Sequence, residues 1–139
     1  MINLTLLGAT GSIGQSTLAV VDLHHKQFQV FAMSANTNWQ AMVKLCTKYK
    51  PKYAVMTDEN AATQLSAQLQ NDTKVLSGAA ALEMIAEHAQ TDYVMAAIVG
   101  SAGMASSLAA AKAGKRIMLA NKESLVLAGD IFMDAVKAN

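Results

Sequence analysis

Short apolar runs alternate with amphipathic stretches along the 139-residue chain. Apolar runs bounded by turn residues are typical of strands, and apolar residues at a spacing of three to four are typical of helices. The pattern predicts strands at residues 2–7, 29–34, 53–57, 73–76, 93–99 and 116–120, and helices at 12–25, 39–50, 59–70, 79–89, 104–113 and 124–138. This alternation favours a Rossmann-like α/β fold, with a doubly wound, mainly parallel sheet of about six or seven strands flanked by helices.

Turn and capping residues support these boundaries. Pro51 follows the second predicted helix, Asp58 precedes the third, and Gly114 follows the fifth. Proline cannot continue a helix, aspartate accepts hydrogen bonds from the first helical amides, and glycine adopts the left-handed conformation that often ends a helix. Because ligand sites in such sheets lie at the carboxyl ends of the strands, the segments that follow the strands are the candidates for function.

The first predicted strand runs directly into a glycine-rich turn. Gly8, Gly11 and Gly14 form a G-x-x-G-x-x-G variant of the dinucleotide fingerprint G-x-G-x-x-G. Glycine lets the backbone approach a pyrophosphate closely, and the first amides of the following helix attract the anion. With a strand before it and an apolar helix after it, the turn predicts nucleotide binding; a plain turn is the alternative.

The segment after the second predicted strand contains Asn36, Thr37 and Asn38 but no acid. An NAD site carries an aspartate or glutamate about 20 residues past the glycines, where it binds the ribose 2′-hydroxyl. Amide and hydroxyl groups in its place accept a 2′-phosphate, so the segment favours NADP. Alternatively, Asn36 and Asn38 form an Asx turn and cap the next helix.

The last candidate segment is Asn121-Lys122-Glu123, which follows the sixth predicted strand. A lysine at a helix start opposes the helix dipole, which suggests that Lys122 meets an anion such as a phosphorylated substrate. Glu123 is also explained as an ordinary acid of a first helical turn. The turn at 100–103 either lines the nicotinamide half of a cofactor crevice or is a hinge or plain loop.

Composition restricts the function classes further. The net charge of +1, without a basic run, gives no indication of nucleic acid as a partner. The single cysteine, Cys46, allows no disulfide within the chain, and no apolar run is long enough for a membrane span, so a cytoplasmic location without a membrane partner is expected. The three histidines lack metal-ligand spacing, so no metal site is predicted.

Three segments, 8–14, 96–100 and 119–126, closely resemble the 1-deoxy-D-xylulose 5-phosphate reductoisomerase family. The resemblance implies an NADPH-dependent enzyme that uses a divalent metal, Mg or Mn, to isomerise its sugar phosphate substrate and reduce it to 2-C-methyl-D-erythritol 4-phosphate, in the non-mevalonate isoprenoid pathway. It also implies a set of ligand contacts. NADPH would be held by Thr10, Gly11, Ser12, Ile13, Asn36, Thr37, Asn38, Asn121 and Glu123, and the sugar phosphate by Lys122.

The chain departs from the family pattern in two respects. Many members have glycine and lysine at the positions of Asn36 and Thr37, so a weaker preference for NADP over NAD is expected here. Members also continue into a metal-binding motif and a C-terminal helical domain. Residues 1–139 are therefore expected to be the N-terminal NADPH-binding domain of such an enzyme, inactive alone, without catalytic residues or metal ligands, and the parent enzyme is expected to be a homodimer.

Two dehydrogenase classes and one non-catalytic class are the alternatives to this family. A short-chain dehydrogenase needs a Tyr-x-x-x-Lys pair, which the chain lacks. A semialdehyde dehydrogenase needs a nucleophilic cysteine in its active crevice, whereas Cys46 lies within a predicted helix. The alternative from a different class is an isolated, non-catalytic nucleotide-binding module.

Overall fold

The computed structural model describes residues 1–98 and 101–119, and within them strands and helices alternate strictly. The strands are β1 (Ile2–Leu7), β2 (Phe28–Ala35), β3 (Tyr53–Met56), β4 (Lys74–Ser77), β5 (Tyr93–Ala96) and β6 (Arg116–Leu119). The helices are α1 (Ser12–Leu23), α2 (Trp39–Tyr49), α3 (Glu59–Gln68), α4 (Ala79–Glu87) and α5 (Ser101–Lys112). All six predicted strands and the first five predicted helices are confirmed; the predicted helix at 124–138 lies outside the described residues.

Two boundaries differ from the prediction by several residues. Strand β5 ends at Ala96 rather than at 99, and helix α5 begins at Ser101 rather than at 104. The apolar run continues past Ala96, but β1 ends at Leu7, so its ladder with β5 has no further partner. The turn predicted at 100–103 is therefore helical from Ser101 onward, and Gly100 lies outside the described residues.

The six strands form one parallel sheet in the order β4-β3-β2-β1-β5-β6. The chain adds strands outward from β1 to β4 and then crosses back to place β5 on the other side of β1. This arrangement confirms the doubly wound Rossmann-like expectation. The strand order reverses between β1 and β5, and a sheet of this type binds its ligands outside the carboxyl ends of the strands at that point.

Each face of the sheet has its own hydrophobic core. Alternate residues of β1 point to opposite faces, so Leu6 packs in one cluster and Leu7 in the other. The first cluster takes in Leu18 of α1 and Met42 of α2, and the second takes in Ile85 of α4. The sheet is therefore covered on both faces, with α1, α2 and α3 on one side and α4 and α5 on the other.

Helix ends follow the residues that the sequence suggests. The Asp58 carboxylate accepts a hydrogen bond from the Ala61 amide at 2.8 Å, which caps α3. Lys50, with φ +49°, ends α2 immediately before Pro51, and Gly114 adopts φ +80° after α5. Within the described part of the chain, no helix has both the length and the hydropathy needed to span a membrane.

Candidate functional site

The turn between β1 and α1 lies at the point where the strand order reverses. Leu7 is aligned with Ser34 of β2 and with Ala96 of β5, so the ends of these three strands meet. Gly8 follows with φ +88°, which side chains rarely tolerate, and a Cβ atom there would lie 2.9 Å from the Ala97 carbonyl oxygen. Only glycine fits this position, because both its backbone conformation and its contact with the chain after β5 exclude a side chain.

Ser34 holds the turn from the other side. This buried residue accepts a hydrogen bond on Oγ from the Gly8 amide at 3.0 Å, and its carbonyl oxygen accepts from the amides of Gly8 at 3.2 Å and Ala9 at 2.7 Å. Sequence analysis includes Ser34 in a strand but gives it no role. The available signal is one hydroxyl side chain in an otherwise apolar run, 30–35.

Gly11 is the N-cap of α1 and has a different environment. Its φ of −78° and ψ of 173° are ordinary extended values that any residue adopts. A Cβ atom at Gly11 would meet no atom of the described residues within 4 Å. Neither backbone strain nor internal packing therefore requires a glycine here, whereas the close approach of a ligand would.

Gly14 presses the helix against the turn. A Cβ atom there would overlap the carbonyl oxygen of Gly8 and would lie 2.6 Å from that of Ala9. Gly8 is thus required by its backbone conformation and Gly14 by the packing of α1 against the turn. Gly11 leaves the surface of the turn open to a ligand. The last two uses match those that dinucleotide-binding turns make of their glycines.

The start of α1 offers hydrogen-bond donors without an acceptor. The first helical bond runs from the Gln15 amide to the Gly11 carbonyl oxygen at 3.0 Å, so the amides of Ser12, Ile13 and Gly14 have no partner within the helix. No side chain caps them, and the first turn contains no acid. These amides and the positive end of the helix dipole favour an anion at this place.

The four predicted residues of this turn, 10–13, are consecutive and differ in exposure. Thr10 is half-buried, and its carbonyl oxygen accepts a hydrogen bond from the Gln15 side chain at 3.2 Å. Gly11, Ser12 and Ile13 follow directly and are exposed. The turn therefore combines a fixed backbone with an open outer surface.

The loop between β2 and α2 contains the second predicted group. Asn36, Thr37 and Asn38 are all exposed. Asn38 Oδ1 accepts from the Ala41 amide at 3.2 Å and caps α2, which confirms the capping alternative for this residue. Asn36 Oδ1 instead accepts from the Thr57 hydroxyl at 2.6 Å, so Asn36 links two strand ends rather than capping the helix.

A groove of about 340 Å³ runs between α1 and α2, and we call it the α1–α2 groove. It is lined by Thr10, Gln15, Leu18, Ala19, Asp22, Ala41, Lys44, Leu45, Lys48 and Tyr49. At one end, Lys48 Nζ lies 3.0 Å from Asp22 Oδ2, and the Tyr49 hydroxyl donates to Asp22 Oδ1 at 2.9 Å. The hydrogen bond from Lys48 holds the pKa of Asp22 below its ordinary value and raises that of Lys48.

The remaining candidates lie away from this site or outside the described residues. Asn121, Lys122 and Glu123 belong to the latter group. Cys46 is buried in α2, and its burial raises the thiol pKa to about 12, so the thiol is not a nucleophile near neutral pH. Among residues 1–98 and 101–119, no three histidine, cysteine or acidic side chains group closely enough to hold a metal ion.

Comparison with protein families gives a match over residues 4–129 to the model described as 1-deoxy-D-xylulose 5-phosphate reductoisomerase. Two curated relatives with that name come from Ruthia magnifica subsp. Calyptogena magnifica and Vesicomyosocius okutanii subsp. Calyptogena okutanii. They are 65% and 66% identical over 137 residues, and each alignment covers 99% of this chain and 36% of the relative. The chain thus spans about a third of the length of these relatives.

Solved structures show the same similarity. A crystal structure of DOX-P reductoisomerase in complex with NADPH, fosmidomycin and magnesium superposes with a TM-score of 0.88 at 42% identity, covering 99% of this chain and 34% of that one. The Zymomonas mobilis 1-deoxy-D-xylulose 5-phosphate reductoisomerase in complex with NADPH gives a TM-score of 0.87 at 40% identity, covering 99% and 36%. The fold described above is therefore that of the corresponding part of these proteins.

Proposed function

The chain belongs to the 1-deoxy-D-xylulose 5-phosphate reductoisomerase family, and we propose that it is the NADPH-binding part of such an enzyme. The full-length protein would isomerise 1-deoxy-D-xylulose 5-phosphate and reduce it to 2-C-methyl-D-erythritol 4-phosphate, a step of the non-mevalonate isoprenoid pathway. The names of the relatives and the NADPH in two similar structures support this proposal. Because the chain spans 36% of those relatives, its own contribution is cofactor binding.

The observation that carries the proposal is the open, anion-favouring surface at Gly11. Within residues 1–98 and 101–119, a Cβ atom there meets no atom within 4 Å, and the adjacent amides of Ser12 and Ile13 have no helical acceptor. The residues therefore fit a pyrophosphate, which would accept hydrogen bonds from those amides. NADPH, when bound, would supply the hydride for the reduction, and the amides of this turn would hold its pyrophosphate.

The loop at Asn36, Thr37 and Asn38 is proposed to receive the 2′-phosphate end of NADPH. It carries no carboxylate, so nothing in it repels a phosphate, and its exposed hydroxyl and amide groups offer donors. Asn38 Oδ1 is already used to cap α2, which leaves its Nδ2 group for a ligand. The sequence-based preference for NADP over NAD is thus compatible with the local contacts.

The remaining contacts are proposed for the full-length protein. Asn121 and Glu123 would touch NADPH, and Lys122 would bind the phosphate of the sugar substrate. A divalent metal, Mg or Mn, would take its ligands from outside this chain, in line with the magnesium in a similar structure. The full-length enzyme is further proposed to be a homodimer and to be located in the cytoplasm.

Titration of the 139-residue chain with NADPH and NADH, together with a turnover assay with and without Mg²⁺, tests these assignments. We expect the chain to bind NADPH in preference to NADH. We expect no turnover, because the metal ligands are proposed to lie outside this chain, which alone would act as a nucleotide-binding module. Turnover by the chain alone would contradict the division between cofactor and catalytic parts. Failure to bind either cofactor would contradict the proposed function.

A further inference from the structure

The α1–α2 groove connects the glycine turn to a cationic helix surface. Both helices begin at the carboxyl edge of the sheet, so Thr10 and Ala41 form the end of the groove that adjoins the proposed cofactor site. Asp22 and Lys48 lie at its other end. Lys44 lies between these ends, one turn from Ala41 and one turn from Lys48.

The charges in this groove do not balance. Its described lining includes one carboxylate, Asp22, and two ammonium groups, Lys44 and Lys48. Asp22 already binds Lys48 through one oxygen and Tyr49 through the other. Lys44 is exposed and makes no hydrogen bond or ion pair within residues 1–98 and 101–119. Its charge is therefore available to a ligand.

Lys44 has the reach to act at the cofactor end of the groove. It lies six residues after the N-cap Asn38, which corresponds to about 9 Å along the helix axis. Helical side chains lean toward the helix N-terminus, and an extended lysine stem spans about 6 Å, so the ammonium group can lie level with the first turn of α2. That turn adjoins the loop proposed for the 2′-phosphate.

The loop itself supplies no cation. Thr37 is uncharged, and residues 36–41 contain neither lysine nor arginine. Asp58 contacts the loop through its backbone, since its amide donates to the Asn36 carbonyl oxygen, while its carboxylate accepts from the Ala61 amide at the start of α3. Lys44 is therefore the cation of the described groove lining that is available to a phosphate at this loop.

We propose that Lys44 is the specificity-determining residue that selects NADPH over NADH in this chain. The inference rests on the proposed function, and it assigns the positive charge for the 2′-phosphate to α2 rather than to the loop. NADPH and NADH differ only in that phosphate, so Lys44 acts on the binding of one cofactor and not on that of the other.

The test compares Lys44→Met with Lys48→Met, since both variants remove a charge from α2 and retain an apolar stem. NADPH and NADH are titrated by calorimetry into the 139-residue chain and each variant. Lys44→Met should weaken NADPH about three- to thirtyfold and change NADH less than about twofold, because a partly exposed phosphate contact is lost. Lys48→Met should leave both affinities within about twofold, because Lys48 is committed to Asp22. Raising the salt concentration should narrow the difference between the parent and Lys44→Met.

Each other outcome has a distinct meaning. If the parent prefers NADPH and Lys44→Met keeps that preference, the inference is wrong and the proposed function stands. Equal loss of both cofactors would place Lys44 on the shared pyrophosphate and overturn its role in selection. If Lys48→Met weakens NADPH binding as much as Lys44→Met does, the net positive charge of the groove, and not Lys44 itself, selects the cofactor. That result would also overturn the inference. A parent chain that binds neither cofactor removes the proposed function and this inference together.

Discussion

Replacing Gly11 by valine should separate cofactor binding from stability. The extended backbone at Gly11 suits a β-branched residue, and the new Cβ would meet no protein atom within 4 Å. Valine is a poorer N-cap than glycine, but it also restricts the unfolded chain, so the two effects, each up to about 1 kcal/mol, oppose each other. We expect the free energy of unfolding to change by less than about 1 kcal/mol, which corresponds to roughly 3 to 4 °C in Tm for a chain of this size.

The same substitution should abolish NADPH binding. The valine side chain would occupy the space through which a pyrophosphate approaches the amides of Ser12 and Ile13. A hydrogen bond to a charged group contributes about 1.5 to 3 kcal/mol, and loss of two such bonds weakens binding by at least about a hundredfold. Calorimetric titration with NADPH and thermal unfolding are to be measured on the same preparation.

Gly8→Ala is the matched control for this experiment. Its φ of +88° alone costs a side chain about 1 to 3 kcal/mol, and the added Cβ would lie 2.9 Å from the Ala97 carbonyl oxygen. The control should therefore lose stability where Gly11→Val does not. Normal NADPH affinity in Gly11→Val would refute the placement of the pyrophosphate, and a loss of stability as large as that of Gly8→Ala would show that Gly11 serves the fold.

Three further outcomes follow from particular contacts. Ser34→Ala removes the Oγ acceptor of the Gly8 amide and should cost about 1 kcal/mol in urea unfolding while speeding hydrogen exchange at Gly8; unchanged exchange would show that the carbonyl oxygen alone holds the turn. Asn38→Ala should cost about 1 kcal/mol through loss of the α2 cap, whereas Asn36→Ala, which removes only a hydrogen bond from an exposed side chain to the half-buried Thr57, should cost less; the reverse order would contradict the assigned cap. Burial raises the pKa of the Cys46 thiol from 9.0 to about 12, so above pH 9 the thiol ionises in the unfolded chain before it does in the folded one. The free energy of unfolding should therefore fall as the pH rises above 9. Cys46→Ala should remove this contribution to the pH dependence of the free energy of unfolding.

The strands could be predicted from the sequence because each one is a short apolar run between polar or turn residues. The end of β5 could not be predicted in this way, because the apolar run from Tyr93 continues past Ala96, whereas the ladder with β1 ends at that residue. The predicted start of α5, at residue 104, is three residues later than the observed start at Ser101. A serine-alanine-glycine segment is typical of turns, although its residues also fit the first turn of a helix.

The site was predictable to a different degree at each residue. The spacing of Gly8, Gly11 and Gly14 indicates a phosphate-binding turn, but it does not say which glycine serves which purpose. Ser34 could not be identified, because its partner Gly8 lies 26 residues away and the contact depends on the alignment of β1 with β2. Periodicity places Lys44 on a helix, yet only the fold shows that Lys44 and Thr10 line the same groove between α1 and α2.

The geometry around Gly8 explains why binding and folding can be separated at one glycine of the turn and not at another. Gly8 is held between Ser34 at the end of β2 and Ala97 beyond the end of β5, so its position depends on three aligned strands. A change at Gly8 therefore disturbs the sheet as well as the turn. Gly11 lies beyond these contacts and faces space that is open among the described residues, so we expect a side chain there to act on the proposed ligand alone. The fixed strand ends supply the rigidity that a pyrophosphate site needs, and the open helix start supplies the donors.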